Sequence, residues 1–170
     1  MRSEEIHRGR VFSVRRDTLR NAQGDEMVRD VVVHPGAVVI VAVDGADLLF
    51  VRQYRYPVGE ALLELVAGTC EAGEAPLVTA GRELQEEAGF KAGRLSKIGE
   101  FFSAPGFCSE VLHLYLAEDL SPSRLPGDED EEISVERIPL DEAVRMALSG
   151  EIRDAKTLAG VLLYARSLGR

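Results

Sequence analysis

The stretch from Gly68 to Phe90 most constrains what this chain can fold into. It places Gly68, Glu74, Pro76, Arg82-Glu83-Leu84, Glu86-Glu87 and Gly89-Phe90 at fixed spacing. Glu83, Glu86 and Glu87 stand at i, i+3 and i+4, so at about 100° per residue they share one face of a helix. No lysine is interleaved among them. Two of them fall just before Gly89, at the negative end of the helix macrodipole, where anions are disfavoured. A hard, oxygen-loving divalent cation removes this self-repulsion, Mg²⁺ first and Mn²⁺ as the other choice. The fold must therefore hold a loop and a helix around a cation site.

The flanks supply the rest of the architecture. Pro76 suits a first helical position and Gly89 a left-handed stop, which predicts a helix over residues 76–88. Its apolar face is Leu77, Ala80, Gly81, Leu84 and Ala88. Val38 to Val43 is a continuous apolar run and reads as a strand buried on both faces. Residues 44–47 make a hairpin turn, residues 48–54 return, and residues 62–67 deliver the chain to Gly68. Residues 95–103, 111–117 and 133–138 read as further strands. Residues 118–132 read as a polar loop ending in the acidic run Asp128 to Glu132. Helices are expected from residue 140 to about 149 and over 154–168. This order implies an α/β fold, a mixed sheet sandwiched between helices. Residues 9–16 and 27–34, around a turn at Gly24, suggest a small N-terminal antiparallel sheet. Such a sheet is not stable alone, so it packs on the main body or on a partner chain. The expected division is 1–35 for this piece and 36–170 for the main body.

Composition narrows the function. With 170 residues and 45% apolar content, one compact domain with a real core is affordable. The two cysteines, Cys70 and Cys108, do not make a disulfide framework, and a reducing cytoplasmic setting is expected. The N-terminus is too polar for a signal peptide, and no apolar run approaches membrane-spanning length. A net charge of −9 argues against nucleic acid as the main partner. An anionic substrate is still admissible, because bound cations reverse the local field.

The Gly68–Phe90 pattern matches the Nudix box at every defining position. With its flanks, the chain resembles the ADP-ribose pyrophosphatase branch of the nucleoside-diphosphate-sugar hydrolases. The flanking matches are residues 29–38, Val51-Arg52-Gln53-Tyr54-Arg55, Leu63 to Gly68, Ser103 to Phe107 and the acidic run before Ile133. The resemblance implies a Nudix fold and metal-dependent hydrolysis of ADP-ribose to AMP and ribose 5-phosphate. Two to three Mg²⁺ ions per site are implied, with Mn²⁺ able to substitute, held by Glu83, Glu86, Glu87 and the carbonyl of Ala67. Glu86 alternatively polarises the attacking water. Glu131, with Glu129 second, is the implied catalytic-loop carboxylate; a solvated loop is the plain alternative.

Arg82 is expected to brace the glutamates from behind, with Glu71 and Glu74 as organising or water-mediated carboxylates. Surface placement and a favourable charge near the helix start are their bland alternatives. Arg55 is the implied substrate arginine, Arg52 its neighbour, and Glu64 a holder of a ribose hydroxyl; surface salt bridges would also explain both arginines. Pro105, Gly106 and Phe107 are implied as a substrate-side loop. Arg29 and Asp30 are implied to reach the adenosine end of a partner protomer's site in a homodimer. The branch usually has Arg-Glu there, and Asp30 is shorter by one methylene. Val66 and Ala88 also replace a common proline and threonine. Another nucleoside diphosphate sugar or a dinucleotide (GDP-mannose, ADP-glucose, FAD-like) is the rival substrate. A non-catalytic nucleotide-sugar sensor is the rival class.

Overall fold

The computed structural model describes residues 2–127 and 132–170. Among these, β1 (Arg2–Arg8), β2 (Ser13–Arg20) and β3 (Glu26–Val33) form a three-stranded sheet in that order. Then come β4 (Ala37–Asp44), β5 (Asp47–Arg55), β6 (Glu60–Thr69), α1 (Pro76–Glu83), a π-helical turn (Leu84–Ala88), β7 (Phe90–Phe102) and β8 (Val111–Pro122). β9 (Ile133–Pro139), α2 (Leu140–Ser149) and α3 (Ala155–Ser167) complete the chain. The main sheet has the order β7-β8-β4-β6-β5-β9. β4 runs parallel to β8 and antiparallel to β5 and β6, so the sheet is mixed.

β4 shows why the apolar run is continuous. Val38, Ile40 and Ala42 pack with Ala80, Leu84 and Ala88 beneath α1 and the π turn. Val39 and Val41 pack on the other face with Ala143, Val161 and Ala165 of α2 and α3. A strand covered on both sides has no solvent face to mark with polar residues. α3 lies close to the sheet at Gly160, where an added Cβ would come within 2.5 Å of the Leu65 side chain.

Several elements differ from the sequence expectation. β1 was not expected: it is polar, exposed along its whole length and paired only with β2, so no burial pattern marks it. The strand expected over residues 9–16 starts at Ser13 instead, because Gly9 to Phe12 closes a turn through the Gly9 N–H and the Phe12 carbonyl. β7 begins at Phe90 and β8 continues to Pro122, as the long β7–β8 ladder carries polar exposed residues outward from the core. Leu77 is exposed rather than part of the apolar face. The helix expected to run to Ala88 closes as a π turn, with the Gly89 N–H bonding the Leu84 carbonyl and Gly89 left-handed at φ 75°.

The N-terminal sheet joins the body near the end of β3. The Val32 N–H donates to the Phe107 carbonyl at 2.8 Å, and the Ser109 N–H donates to the Val32 carbonyl at 2.9 Å. The loop containing Pro105, Gly106 and Phe107 is thus the docking point of the first sheet.

Candidate active site

β6 positions the site. At Gly68 it passes so close to the box helix that an added Cβ would lie 1.9 Å from the Glu83 carboxyl carbon. Any side chain here would have to displace the Glu83 carboxylate. One residue earlier, the Ala67 N–H donates to Glu87 Oε2 at 3.1 Å. Glu87 is only 7% exposed. A backbone donor offsets part of the cost of burying its charge.

Arg82 holds the other acids. Its Nη1 lies 2.8 Å from Glu83 Oε1 and 2.7 Å from Glu86 Oε2. Its Nη2 and Nε reach the two oxygens of Glu74 at 3.1 and 3.3 Å. Glu74 also accepts from the Thr79 hydroxyl at 2.9 Å. Hydrogen bonding to Arg82 holds the Glu74 carboxyl below its usual range, with Thr79 adding to the effect. Glu74, in turn, is the largest influence keeping Arg82 protonated, followed by the charges of Glu83 and Glu86. Glu74 is therefore the anchor of Arg82. Glu71 lies on the loop that lines the same cleft.

The cleft encloses about 1350 Å³ above these acids. Its donor set suits a hard divalent cation, because Glu83, Glu86 and Glu87 offer carboxylate oxygens. Among the described residues no three acidic, histidine or cysteine side chains stand close enough together to hold a metal ion, Arg82 Nη1 pairing with both Glu83 and Glu86. Glu83, Glu86, Glu87 and the Ala67 carbonyl are the groups that would hold the ion. Glu129 and Glu131 lie outside the described residues.

The opposite wall carries a buried ion cluster that the sequence did not reveal. Glu64 is 1% exposed. Both its oxygens accept from Arg55, Nε and Nη2 each at 2.7 Å. Lys156 Nζ shares Glu64 Oε2 and also pairs with Asp154 Oδ1 at 3.0 Å. Burial alone would raise the Glu64 pKa; the Arg55 hydrogen bond and the Lys156 charge more than offset it, and the carboxyl stays below its usual range. Arg55 and Lys156 both border the cleft. Asp154 was legible only as the start of the last helix, where it caps the Thr157 N–H at 3.0 Å. Lys156 gave no signal, being separated from Glu64 by 92 positions. Cys70 also borders the cleft, and burial pushes its thiol pKa up, away from a nucleophile's range.

Other expected residues stand away from this cleft within the single chain. Arg52 pairs with Glu136 at 2.6 Å on the β5–β9 ladder. Asp30 accepts both donors of Arg16, at 2.7 and 2.9 Å, and Arg29 bonds the Val28 carbonyl. Phe107 is exposed on the loop that meets β3. The cleft rim is instead formed by Phe101, Phe102, Ser103 and the β1–β2 turn residues Arg10 and Val11.

Gly68→Ala must expel the Glu83 carboxylate. We expect catalytic rate to fall about 100-fold through this displacement, with far-UV circular dichroism unchanged; wild-type rate would refute the close-approach argument. Glu64 predicts a pH signature. Its folded pKa lies below its unfolded value, so its stabilisation is complete above the unfolded value and disappears as pH falls through the folded one. Glu64→Gln should cost on the order of 3 kcal/mol at pH 7, with the deficit shrinking in acid. Urea melts across pH read this directly, and a constant deficit would contradict it.

A profile of the NUDIX domain matches residues 33–161. An ADP-ribose pyrophosphatase of Bacillus subtilis (strain 168) is 40% identical over 157 residues, covering 91% of this chain and 85% of that protein. An ADP-ribose pyrophosphatase of Mycobacterium tuberculosis (strain ATCC 25618 / H37Rv) is 42% identical over 164 residues, covering 94% and 79%. The crystal structure of an ADP compounds hydrolase aligns with a TM-score of 0.89 at 28% identity, over 99% of this chain and 92% of the other. A glutamate face set beneath Gly68 on this mixed sheet, together with these likenesses, makes the chain a member of the Nudix hydrolase family.

Proposed function

We propose that this chain hydrolyses the diphosphate bond of ADP-ribose, releasing AMP and ribose 5-phosphate, in a reaction that needs a divalent cation. The observation that carries the reading is the glutamate face of the box, with Glu83 under Gly68 and Glu87 on the Ala67 N–H. The two bacterial relatives named ADP-ribose pyrophosphatase, similar over most of their length, support this choice of substrate.

Bound Mg²⁺ or Mn²⁺ would lower the pKa of coordinated water and neutralise charge on the diphosphate. The chain's own residues do the rest by positioning and electrostatics. Glu83, Glu86 and Glu87 would supply the ion's oxygen ligands, or Glu86 would instead polarise the attacking water. Arg82, paired with Glu83 and Glu86, orients these two acids from behind. Arg55, fixed by Glu64, presents a guanidinium at the cleft wall suited to phosphate oxygens or an adenine face. The sequence candidates for a further carboxylate, Glu131 and Glu129, carry no step here.

The functional unit proposed is a homodimer. β1 to β3 and their turns expose Ile6, Val11, Phe12 and Val28, apolar surface that a partner chain would cover. Arg29 and Asp30 lie on this sheet, and pairing of two chains would let them serve the partner's cleft.

Hydrolysis of a nucleotide panel in ¹⁸O-water with Mg²⁺ tests the assignment. ADP-ribose should be the preferred substrate, with label in a single product. Glu83→Gln and Glu86→Gln should each lower turnover by about 100-fold while the fold persists; near-wild-type rates in both at saturating Mg²⁺ would sink the proposal. A chain lacking residues 1–34 should lose dimerisation and substrate affinity. If it sediments as a dimer with unchanged affinity, the dimer proposal fails.

A further inference from the structure

Five basic side chains border the cleft: Arg10, Arg55, Arg82, Arg124 and Lys156. Most are committed to protein partners. Arg82 serves Glu74, Glu83 and Glu86. Arg55 and Lys156 serve Glu64. Arg10 is also engaged. Arg124 differs: among the described residues its guanidinium has no carboxylate or hydrogen-bond partner.

Yet the backbone on both sides of Arg124 is fixed. The Ser123 N–H donates to the Gly89 carbonyl at 2.9 Å, and the Ser123 hydroxyl donates to Gln85 Oε1 at 2.9 Å. The Leu125 N–H donates to the Gln85 carbonyl at 3.3 Å. Gln85 is itself braced by its own amide, which donates to the Gly81 carbonyl at 2.8 Å. Gln85 thus clamps the segment before and after Arg124 onto the turn that bears Glu86 and Glu87. The Arg124 side chain lies over the end of that turn, Nη1 being 3.9 Å from where a Cβ on Gly89 would sit.

A fixed backbone that presents an arginine without a partner among the described residues, at the end of the turn that bears Glu86 and Glu87, is unusual for a purely structural residue. Folding gains little from it beyond a favourable charge at a helix C-terminus. A diphosphate entering the cleft meets repulsion from the nearby glutamates, and a guanidinium beside them offsets it with paired N–H donors. We propose that Arg124 is a phosphate-binding residue of this cleft, held ready by the Gln85–Ser123 clamp to contact the substrate diphosphate. The inference rests on the hydrolase reading above for the identity of the substrate, but its physical content is anion binding at Arg124.

The test compares wild type with Arg124→Gln and Arg124→Lys. R124Q should raise KM for ADP-ribose by ~10–100-fold, with kcat changed by less than about threefold and melting temperature unchanged. R124K should recover part of the loss, since it restores the charge without the fork. Inhibition by adenosine, which has no phosphate, should be the same in wild type and R124Q. An unchanged KM in R124Q would overturn the proposal, and so would an equal weakening of adenosine, which would mean a distorted site. A wild-type enzyme silent on ADP-ribose would instead sink the hydrolysis reading. Calorimetry with ADP then decides Arg124 by itself: weaker ADP binding by R124Q supports the proposal, and equal binding overturns it.

Discussion

The site depends on one guanidinium. Glu74, Glu83 and Glu86 converge on Arg82, and without it like charges would face one another across a partly enclosed cleft. Two unit charges about 4 Å apart interact by about 4 kcal/mol at the effective dielectric near a protein surface. Arg82 turns that repulsion into attraction and holds the acids in reach of the cleft. Its own placement is secured by Glu74, which the buried Thr79 hydroxyl fixes in turn. A line of contacts therefore runs from the loop before α1, through its first turn, to the acids at its end.

β6 is the second constraint. Within five residues it meets both helical layers. Glu64 takes Lys156, and the Leu65 N–H donates to the Thr157 hydroxyl at 2.8 Å, both on α3. The Ala67 N–H then reaches Glu87 and Gly68 lies against Glu83. The acid face and the cationic wall are thus set by a single stretch of backbone, and their spacing is as rigid as a central strand. Moving one without the other would require breaking the β4–β6 and β5–β6 ladders.

Much of this was legible in the sequence, for reasons specific to each element. The run from Val38 to Val43 read as a buried strand, and Val38 to Ala42 are buried within β4. Pro76 and Gly89 bracket the box helix as expected. The π turn was not legible: its one-residue widening changes hydrogen-bond pairing without requiring any distinctive residue type. β1 was missed because an exposed strand paired on one side obeys no hydrophobic period. The Glu64 cluster was invisible for another reason. Glu64, Arg55 and Lys156 each look like surface charges locally, and only the tertiary fold brings them together. Arg52 shows the converse, since a promising neighbour of Arg55 points to Glu136 instead.

The attachment of the N-terminal sheet has a consequence for how the molecule breathes. Hydrogen bonds through Val32 are its described backbone links to the body, whereas β4 is sealed between two helical layers. Opening the first sheet sacrifices little of the core, while exposing β4 requires dismantling it. The chain therefore has two tiers of local stability rather than one. The lower tier includes the β1–β2 turn, whose Arg10 and Val11 form part of the cleft rim. Opening of the first sheet would therefore reshape part of the cleft rim while the β4 core stays closed.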